Sequence, residues 1–418
     1  MIIVTADTHD GVLIIGGGVI GLSIAEALQR HDVPVTILDA SIGSVQASQG
    51  NAGQIAPGHP PIPSPAVPPR ALSMLLDRRS PLYIPPRPSM SLARWLLAFR
   101  RACRPTQYEH TMKVLGAMSH DSRDGFDRLS ESLNAGDLLH AVGVTDFWRT
   151  EQGQADAMEE TQWMETLGFE VEHLTGQALR ARDPGWSDSV LGAVIHQDGL
   201  VVDPAAWLTS LRTKVLADGA TLCEHVTVRD IQRSHGTWNV MLEDDRTVTS
   251  GKLVLCAGSW TPPLARHLGM RILMEPAKGY HSMVAMDTPP RLAGVLRESK
   301  IAITPLNGMV RIAGTLELSG LNHRRIGTRL DQLITGARPY LPGLTKANVQ
   351  TNWCGLRPCT PDGLPIIGPV PDAPNAWIAT GHGMMGLTLA PATGEVIAAD
   401  ILGQPLPEWA PAMRPSRA

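Results

Sequence analysis

The feature that most constrains the fold of this chain is a glycine-rich turn between an apolar strand and a helix near the N-terminus. Residues 12–15 (VLII) form a short apolar run of the buried-strand type, and GGGVIG occupies residues 16–21. Residues 22–31 have helical periodicity, and residues 34–38 (PVTIL) predict a second strand that closes with Asp39. The pattern predicts a β-α-β unit with the glycine turn at its first corner.

The spacing of the glycines indicates the class of ligand. In Gly-x-Gly-x-x-Gly after a strand, the first glycine permits the tight turn, the second admits a pyrophosphate, and the third lets helix and strand pack closely. An acid 18 residues after the last glycine is placed to accept the ribose hydroxyls of an adenosine. The residues predicted to hold a dinucleotide are Gly16, Gly18, Val19, Ile20, Gly21 and Asp39. The motif alone leaves NAD and FAD open, and a purely structural glycine turn is the alternative.

The composition excludes other classes of function. The chain has 418 residues, 43% hydrophobic and 18% charged, enough for a sizeable core in two domains or one composite fold. A net charge of −4 and an aromatic content of 4% supply neither a basic field nor stacking platforms for a nucleic acid. We therefore expect no nucleic-acid partner.

The cysteine usage and the lack of a recognisable targeting signal predict a cytoplasmic protein. The five cysteines are scattered and include no C-x-x-C pair, which favours a reducing compartment. Residues 1–29 lack lysine and arginine, so the positive start of a secretory signal is missing, and no apolar run of about 20 residues predicts a membrane span. No cluster of His, Cys, Asp or Glu has metal-ligand spacing, so we expect no metal. Peripheral docking at the inner face of the membrane stays open.

A proline-rich excursion separates the nucleotide motif from the next helix. Residues 57–88 contain 11 prolines, which forbids regular helix or central strand because proline lacks an N–H and fixes φ. Residues 91–101 (SLARWLLAFRR) then predict a helix with Leu92, Trp95, Leu96 and Phe99 on one face. Packing of that face on a core is favoured, and contact of its basic end with lipid headgroups is the alternative.

Further elements follow from periodicity and turn residues. Helices are predicted over 151–168, from Asp203-Pro204 onward, and over 390–401, and strands over 222–228, 238–242 and 253–258. The nucleotide domain is expected to return in pieces around a second domain. The predicted domains are 1–60, 198–270 and 350–404 for the nucleotide, 61–197 and 271–349 for the substrate, and a C-terminal tail at 405–418.

Six blocks of the sequence resemble one family. They are the glycine motif, SQGNAGQI from residue 48, LVLCAGSW from 253, AKGY from 277, WCGLRPCTPDGLPIIG from 353 and ATGHGMMGLTLAPATG from 379. Together they resemble the FAD-dependent D-amino-acid oxidase superfamily over residues 12–404, and the loop at 48–57 is most similar to bacterial D-amino-acid dehydrogenases. The resemblance favours FAD over NAD. It implies an α/β protein in which a Rossmann-like FAD-binding domain accompanies a second, α+β substrate domain carrying a mixed sheet.

The resemblance also implies cofactor contacts. Ser48, Asn51 and Gly53 would lie along the pyrophosphate and flavin, Val226 on a strand would meet the adenine, and Ala257-Gly258 would approach the cofactor through backbone. The last block adds Gly381, Gly383, Gly386, Leu387 and Thr388, which precede a helix whose N-terminal dipole would stabilise a negatively charged reduced flavin.

Covalent attachment of the flavin is the less favoured alternative. Cys354 and Cys359 raise it, because some amine oxidases of the superfamily tether FAD through a cysteine in this region. Aligned on residues 360–362, however, Cys354 is one residue away from that tether position. We therefore expect non-covalent FAD.

Substrate-side roles come from the same resemblance. Arg357 in GLRP would clamp the carboxylate of an amino acid, which a planar guanidinium does with two parallel hydrogen bonds. Tyr280 would supply a hydroxyl near that carboxylate, with a core tyrosine as the alternative. His382 is a candidate base, but the favoured role for it is to position the backbone of its loop. Arg311 and Glu317 border the substrate-side strand and are weaker candidates.

The implied reaction is oxidation of a D-amino acid to a 2-oxo acid by hydride transfer from Cα to the flavin, with a quinone or respiratory acceptor taking the electrons. The stretch at 196–204 departs from the pattern usual in D-alanine-type dehydrogenases, so D-proline and cis-4-hydroxy-D-proline are contenders. A subunit of a multi-component opine or hydroxyproline dehydrogenase, with a partner electron-transfer subunit, is a further alternative. An FAD-binding assembly or regulatory protein without turnover is the non-enzymatic one.

Overall fold

The computed structural model of the chain describes residues 8–40, 46–70, 77, 80–133 and 135–417. Its strands are β1 (Thr8–Ile15), β2 (Val35–Asp39), β3 (Gln54–Ile55), β4 (Leu82–Tyr83), β5 (Leu139–His140), β6 (Val144–Trp148), β7 (Val171–Thr175), β8 (Gly192–His196), β9 (Leu200–Val202), β10 (Thr221–Glu224), β11 (Val228–Ser234), β12 (Thr237–Leu242), β13 (Thr247–Leu255), β14 (Glu275–Val284), β15 (Gly294–Leu296), β16 (Ile301–Leu306), β17 (Met309–Glu317), β18 (Val349–Cys359), β19 (Ile366–Pro369) and β20 (Ala376–Thr380). Its helices are α1 (Val19–Gln29), α2 (Ala47–Gly50), α3 (Met90–Ala102), α4 (Pro105–Ser132), α5 (Glu151–Thr166), α6 (Gly176–Arg182), α7 (Pro204–Ala217), α8 (Thr261–Ala265), α9 (Gly327–Ala337) and α10 (Ala390–Leu402).

The first sheet is built around the N-terminal strand. β10, β2, β1 and β13 pair in parallel in that order, and β20 extends the parallel set beyond β13. β11, β12 and β13 form an antiparallel meander, and β19 pairs antiparallel with β20. The predicted β-α-β unit is β1–α1–β2, so its type and position are confirmed.

Both faces of β1 are covered, which explains its uninterrupted apolar run. Val12 and Ile14 pack under a layer formed by α1, α4, α7 and α10, whereas Leu13 and Ile15 pack on the side of the β11–β13 meander. A parallel strand buried on both sides has no polar face, so its sequence shows no alternation.

The second sheet is mixed. Its order is β18-β14-β17-β16-β15-β6-β8-β7, with β4 pairing in parallel along β17. β15 pairs with β6 in parallel, and the other neighbours in this order are antiparallel. Helix α9 packs Leu333 and Ile334 against one face of this sheet. The predicted fold class, a Rossmann-like domain with a second domain carrying a mixed sheet, is confirmed.

Several helices begin where the sequence predicts. Asp203 caps α7 by accepting a hydrogen bond from the N–H of Ala205 at 2.9 Å, and Pro204 occupies the first turn, where its missing N–H costs nothing. Helix α3 buries Leu92, Trp95 and Phe99 on the predicted face. No helix in the described part of the chain is long and apolar enough to cross a membrane.

Two features differ from the sequence-based expectation. The longest helix, α4, spans 28 residues and was not predicted, since glycines and polar residues interrupt its apolar pattern. The strand predicted over 222–228 ends at Glu224, and Val226 lies in the connection to β11 rather than on a strand. Its N–H donates to the carbonyl oxygen of Asp39 at 3.1 Å, which fixes the connection beside the end of β2.

The packing of three segments crosses the sequence-based domain boundaries. α4 lies within the predicted substrate segment but packs on α10, with the Ser122 hydroxyl donating to the carbonyl oxygen of Thr388 at 2.5 Å. Residues 350–359 lie in the second sheet. The segment predicted as a tail packs on the helical layer, where the Trp409 indole donates to Asp121 at 2.6 Å. We keep the two-domain division as a proposal, with the last nucleotide segment starting near residue 360 and including the tail.

Candidate active site

A cleft of about 590 Å³ opens between the carboxyl ends of β1, β2 and β13 and the face of the second sheet that carries Arg357. Fifteen of the twenty predicted site residues line it: Gly16, Gly18, Val19, Ile20, Asp39, Ser48, Asn51, Val226, Ala257, Gly258, Arg357, His382, Gly383, Gly386 and Leu387. Five do not: Gly21, Gly53, Tyr280, Gly381 and Thr388. The sequence-based set therefore converges on one place, from segments up to 371 positions apart (16 to 387).

The glycine turn delivers the N-terminus of α1 to the cleft. The Ser48 hydroxyl accepts a hydrogen bond from the N–H of Val19 at 3.0 Å, and Asp39 accepts from the N–H of Gly17 at 2.8 Å. A helix N-terminus has unpaired N–H groups and a positive dipole end, which suit the negative charge of a pyrophosphate. The Asp39 carboxylate at the end of β2 lies beside it, on the wall of the cleft.

Gly21 acts in packing rather than by contact with a ligand. A Cβ on this residue would lie 1.9 Å from the carbonyl oxygen of Gly16 and 3.1 Å from the sulfur of Cys256. Only hydrogen fits at this approach of α1 to the strand ends. Gly21 is needed because α1 lies this close to the ends of the strands. This is the packing role predicted for the third glycine of the motif.

The loop after α2 is tied to the second sheet. The side-chain oxygen of Asn51 accepts a hydrogen bond from the N–H of Gly53 at 2.8 Å. The backbone carbonyl oxygen of Asn51 accepts one from the Arg311 guanidinium at 2.7 Å. The Gln54 amide donates to the carbonyl oxygens of Gly294 and Ile303 at 3.1 and 3.0 Å. Gly53 and Arg311 therefore hold the loop in place, and Asn51 reaches the cleft.

The C-terminal block closes the cleft with backbone. Gly383 donates its N–H to the carbonyl oxygen of Pro358 at 2.8 Å, which joins this loop to β18. Gly381 packs against Thr360, and the Thr388 hydroxyl accepts from the N–H of Ala56 at 3.1 Å. Both thus support the loop from behind the wall that Gly386 and Leu387 complete.

His382 is unsuited to act as a base. Its Nε2 lies 3.0 Å from the Thr393 hydroxyl, which itself donates to the carbonyl oxygen of Leu389, so Nε2 must carry the proton that Thr393 accepts. Burial lowers the pKa of His382 to about 3, which keeps the ring neutral across the working range. The residue ties the loop to α10, as the favoured sequence-based interpretation had it.

Arg357 reaches the cleft from the centre of β18. It is half-buried, and its Nη1 donates to the carbonyl oxygen of Thr315 at 3.3 Å; among the described residues it forms no ion pair. Its guanidinium lies across Gly279 of β14, where a Cβ would be 1.5 Å from Nη1. Desolvation lowers the pKa of Arg357 from its ordinary value, yet a guanidinium stays charged in proteins. A desolvated cation without a carboxylate is an anion-binding group.

Tyr280 faces away from the cleft. β14 and β18 pair regularly, with Ala277 opposite Arg357 and Tyr280 opposite Cys354, so alternation puts Tyr280 on the other face. Its hydroxyl donates to Glu317 at 2.8 Å, and burial with that carboxylate raises the pKa of Tyr280. The expectation of a hydroxyl beside the substrate carboxylate does not fit this geometry. The alternative, a core tyrosine with a satisfied hydroxyl, does.

The far face of this sheet holds a buried polar network instead. Lys278 is 1% exposed, and its ammonium lies 3.5 Å from a Glu317 oxygen and 2.5 Å from the Asn322 amide oxygen. Cys354 shares this face and donates to the carbonyl oxygen of His323 at 3.5 Å. Its thiol is turned away from the cleft, which favours non-covalent attachment of the flavin.

The structure adds residues that the sequence-based set missed. Trp353, on β18, lines the cleft. Its ring packs directly on Gly50, where an added Cβ would lie 2.0 Å from it. Its indole stacks on His281, with ring centroids 5.0 Å apart, and His281 Nδ1 donates to the carbonyl oxygen of Gly50 at 2.9 Å. Trp260 lines the cleft as well. Trp353 lies four positions before Arg357 on β18, so strand alternation was the available signal for it, whereas Trp260 follows β13 in the block LVLCAGSW and had no such signal.

His281 is neutral beside two cations. Burial, and then the charges of Arg311 and Arg357, lower the pKa of His281 to about 4. Because Nδ1 carries the proton given to Gly50, Nε2 carries a lone pair. No group of three or more His, Cys, Asp or Glu residues among those described is arranged to hold a metal ion.

Comparison with known proteins agrees with this geometry. A family model described as FAD dependent oxidoreductase (DAO) matches residues 11–400. A D-amino acid dehydrogenase of Rhodopseudomonas palustris (strain HaA2) is 31% identical over 390 residues, 91% of each chain. One of Phenylobacterium zucineum (strain HLK1) is 31% identical over 405 residues, 95% of this chain and 94% of the other. The solved glycine oxidase of Geobacillus kaustophilus superposes with a TM-score of 0.75 at 22% identity, over 97% of this chain and 98% of that one.

The residues of the cleft fit FAD. Asp39 and Val226 lie at one end, the α1 N-terminus and Ser48 follow, and Trp353 and Arg357 lie on the facing sheet. This order offers a carboxylate for a ribose, N–H groups for a pyrophosphate and an apolar wall for a flat ring. The space left by Gly21 lets α1 approach closely enough to complete the phosphate site.

Proposed function

The chain belongs to the FAD-dependent oxidoreductase (DAO) family, and we propose that it oxidises D-amino acids to 2-oxo acids and ammonia, passing the electrons to a quinone or another respiratory acceptor. The two curated relatives above are D-amino acid dehydrogenases, which supports the substrate class. The observation that carries the proposal is Arg357, a desolvated cation on the cleft wall without a carboxylate partner among the described residues.

Arg357 would bind the substrate carboxylate. Its only hydrogen bond within the described chain is a 3.3 Å contact with a carbonyl oxygen, so most of its five N–H donors remain for a ligand. Two parallel N–H bonds to a carboxylate fix both position and orientation. The absence of a side chain at Gly279 lets the guanidinium lie flat on the sheet, and this fixes where the carboxylate binds.

The neighbouring residues would shape the rest of the site. Trp353 forms a flat wall beside Arg357 and excludes water from one side of the substrate. His281 stacks behind that indole as a neutral ring and adds no charge to compete with a substrate ammonium. The amine must be neutral for its lone pair to assist loss of hydride from Cα. Neither His382, which is bound to Thr393, nor His281, which is neutral behind Trp353, is poised to take that proton, so we assign its release to solvent.

When bound, FAD supplies the two-electron acceptor for the hydride of the Cα–H bond. The substrate loses two electrons and its amine becomes an imine. Addition of one water then gives the 2-oxo acid and ammonia. For a cyclic substrate such as D-proline, loss of the hydride leaves a cyclic imine. The protein's part is to hold the carboxylate, orient Cα and exclude solvent, which is catalysis by positioning.

Anaerobic reduction tests the substrate class directly. The purified holoenzyme is titrated with D-alanine, D-proline and cis-4-hydroxy-D-proline, each beside its L-counterpart, while the flavin absorbance is followed. We expect bleaching by D-forms only, and the faster substrate distinguishes open-chain from cyclic amines. Bleaching by an L-form would contradict the stereochemistry. A flavin that none of them reduces would contradict the substrate class and favour opines or a missing partner subunit.

The electron acceptor and location complete the proposal. We place the enzyme in the cytoplasm, at the inner face of the membrane, with a membrane quinone as its acceptor. Re-oxidation of the bleached enzyme by a soluble quinone analogue should be much faster than by dissolved oxygen. Faster re-oxidation by oxygen, with hydrogen peroxide formed, would make the protein an oxidase.

A further inference from the structure

Helix α3 exposes an apolar and basic stripe opposite its buried face. Met90 is 74% exposed and Leu97 is 60% exposed, and Arg94 and Arg101 are exposed between and beyond them. Positions 90, 94, 97 and 101 have the spacing i, i+4, i+7, i+11, which places them on one side of a helix. The stripe points to solvent while Trp95 and its neighbours anchor the helix to the protein.

A second segment carries the same chemistry beside it. In the loop before α9, Leu321 is 49% exposed, and Arg324 and Arg325 are exposed. A Cβ on Gly320 would lie 2.7 Å from Nη1 of Arg87, three residues before α3, so the loop and the helix start are neighbours. Two segments far apart in sequence thus place apolar and cationic side chains on one surface.

The surface is formed by two segments that contain no acidic residue. Residues 88–108 and 318–330 contain no aspartate or glutamate, although the whole chain has a net charge of −4. Its exposed arginines are Arg94, Arg100, Arg101, Arg104, Arg324 and Arg325. None of these six forms an ion pair with another described residue. Six positive charges without an ion-pair partner among the described residues therefore lie on two segments of a chain whose net charge is negative.

Exposed apolar side chains are concentrated there too. Seven large hydrophobic residues of the described chain are exposed, and three of them are in this surface. The other four (Val142, Leu191, Leu216 and Met384) lie in other parts of the sequence. An exposed leucine alone needs no explanation, but apolar residues grouped among arginines are the pattern of an interfacial helix.

We propose that α3 and the 319–325 loop form a docking surface for an anionic phospholipid bilayer. Arginines attract the phosphate-rich headgroups, and Met90, Leu97 and Leu321 insert at the boundary with the acyl chains. Because the net charge of the protein is negative, this attraction is local and fixes the orientation on the membrane. The purpose of docking, delivery of electrons to a membrane quinone, rests on the function proposed above. Binding of the surface to the bilayer does not depend on that function.

The anchored face of α3 relates the surface to the active site. The Trp95 indole donates to the carbonyl oxygen of Cys359 at 2.9 Å, two residues after Arg357 on β18. Leu92, Trp95 and Phe99 pack with Ala277, the residue paired with Arg357. Docking through the outer face thus brings the substrate side of the cleft next to the membrane, where a lipid-soluble acceptor resides.

Vesicle flotation of the purified full-length holoenzyme tests the surface without turnover. We expect binding to phosphatidylcholine vesicles that contain phosphatidylglycerol, little binding to phosphatidylcholine alone, and release in high salt. The variants L97E and R94E/R101E should each lower the partition coefficient at least about tenfold. L191E, which charges a leucine 54% exposed outside this surface, should leave it unchanged.

The readouts separate this proposal from the proposed function. The three variants should have the flavin content of the wild type and its rate with a soluble dye acceptor, since the substituted side chains face solvent. With a long-chain quinone in anionic vesicles, L97E and R94E/R101E should be slow and L191E normal. Equal flotation of the wild type and L97E, binding independent of phosphatidylglycerol, or a dimer in solution that L97E abolishes would each overturn the docking surface. A failure of D-amino acids to reduce the flavin would leave the flotation result standing.

Discussion

The two walls of the cleft face each other but are built from different parts of the chain. Apart from the Asp39 carboxylate, the first sheet presents mostly backbone: the α1 N-terminus, the loop at 381–387 and the turn at Ala257-Gly258. The second sheet presents side chains, of which Arg357 and Trp353 reach the cleft. A cofactor phosphate needs N–H groups, which any sequence supplies if glycines let the helix approach, whereas a carboxylate clamp needs one particular side chain.

The difference predicts how each wall fails. On the first wall, a substitution acts by moving backbone, so it should remove the cofactor and destabilise the protein together. On the second wall, a substitution at the cleft should remove activity while the cofactor and the fold remain. A substitution on the far face of the second sheet should affect neither the bound cofactor nor catalysis. Four variants test this contrast.

The largest effect is expected for Gly21→Val. The new Cβ would meet the carbonyl oxygen of Gly16 at 1.9 Å, so α1 must move off the strand ends. We expect a loss of at least about 3 kcal/mol of folding free energy and a colourless protein. Flavin absorbance and thermal unfolding measure both. Gly136→Val is the control, because a Cβ at this exposed glycine meets no atom within 4 Å. A fully loaded, stable G21V protein would contradict the contrast.

Arg357→Ala should abolish most activity and leave FAD bound. Removing a charged, bidentate contact in a desolvated site should lower kcat/KM by about 100- to 1,000-fold. Arg357→Lys should recover only part of it, since an ammonium cannot reproduce the planar fork. Steady-state kinetics and the flavin-to-protein ratio give the readouts. Loss of FAD from R357A would show that this side chain supports the cofactor instead.

His281 joins the two walls and should make stability pH-dependent. Its folded-state pKa of about 4 lies below the ordinary value of 6.5, so the unfolded chain binds more protons between these values. Stability is therefore expected to fall as the pH falls through this window, by up to roughly 1.4 kcal/mol per pH unit from this site. His281→Gln should flatten the dependence, measured as denaturant midpoints near neutral and mildly acidic pH. Exposed His173→Gln should not, and an unchanged slope in H281Q would exclude His281 as its source.

The smallest kinetic effect is expected for Tyr280→Phe. The hydroxyl donates to Glu317 on the face away from the cleft, so kcat/KM should stay within about threefold of the wild type. Stability should drop by about 1–2 kcal/mol, because a buried carboxylate loses one of its donors. Kinetics with the reducing amino acid and urea unfolding provide the two readouts. A kinetic loss as large as that of R357A would return Tyr280 to the substrate site.

Local patterns predicted the first wall well. Residues 12–39 lie within one β-α-β unit, so the strand, the glycine turn and the acid are neighbours in sequence as well as in space. The capping residue Asp203 and the buried face of α3 followed from the same kind of local rule. Helix α4 escaped prediction because glycines and polar residues interrupt the apolar pattern of its buried face, which packs on α10.

The second wall was predicted in composition but not in orientation. AKGY and WCGLRP contain both residues that face the cleft and residues that face away, and the two sets alternate along β14 and β18. Tyr280 and Arg357 are equally prominent in those blocks, yet only Arg357 lines the cleft. His281 and Trp353, which the sequence-based set omitted, share its side of the sheet.

The sequence by itself determined the nucleotide unit, the family resemblance and the segments that supply the site, because these depend on residue type and short spacing. Only the tertiary structure decided which face of the second sheet meets the cofactor. That choice depends on the pairing of β14 with β18, residues 275–284 with residues 349–359, and a shift by one residue would exchange Arg357 for its neighbours. Register across such a distance is fixed by packing of the whole sheet, which is a property of the folded chain.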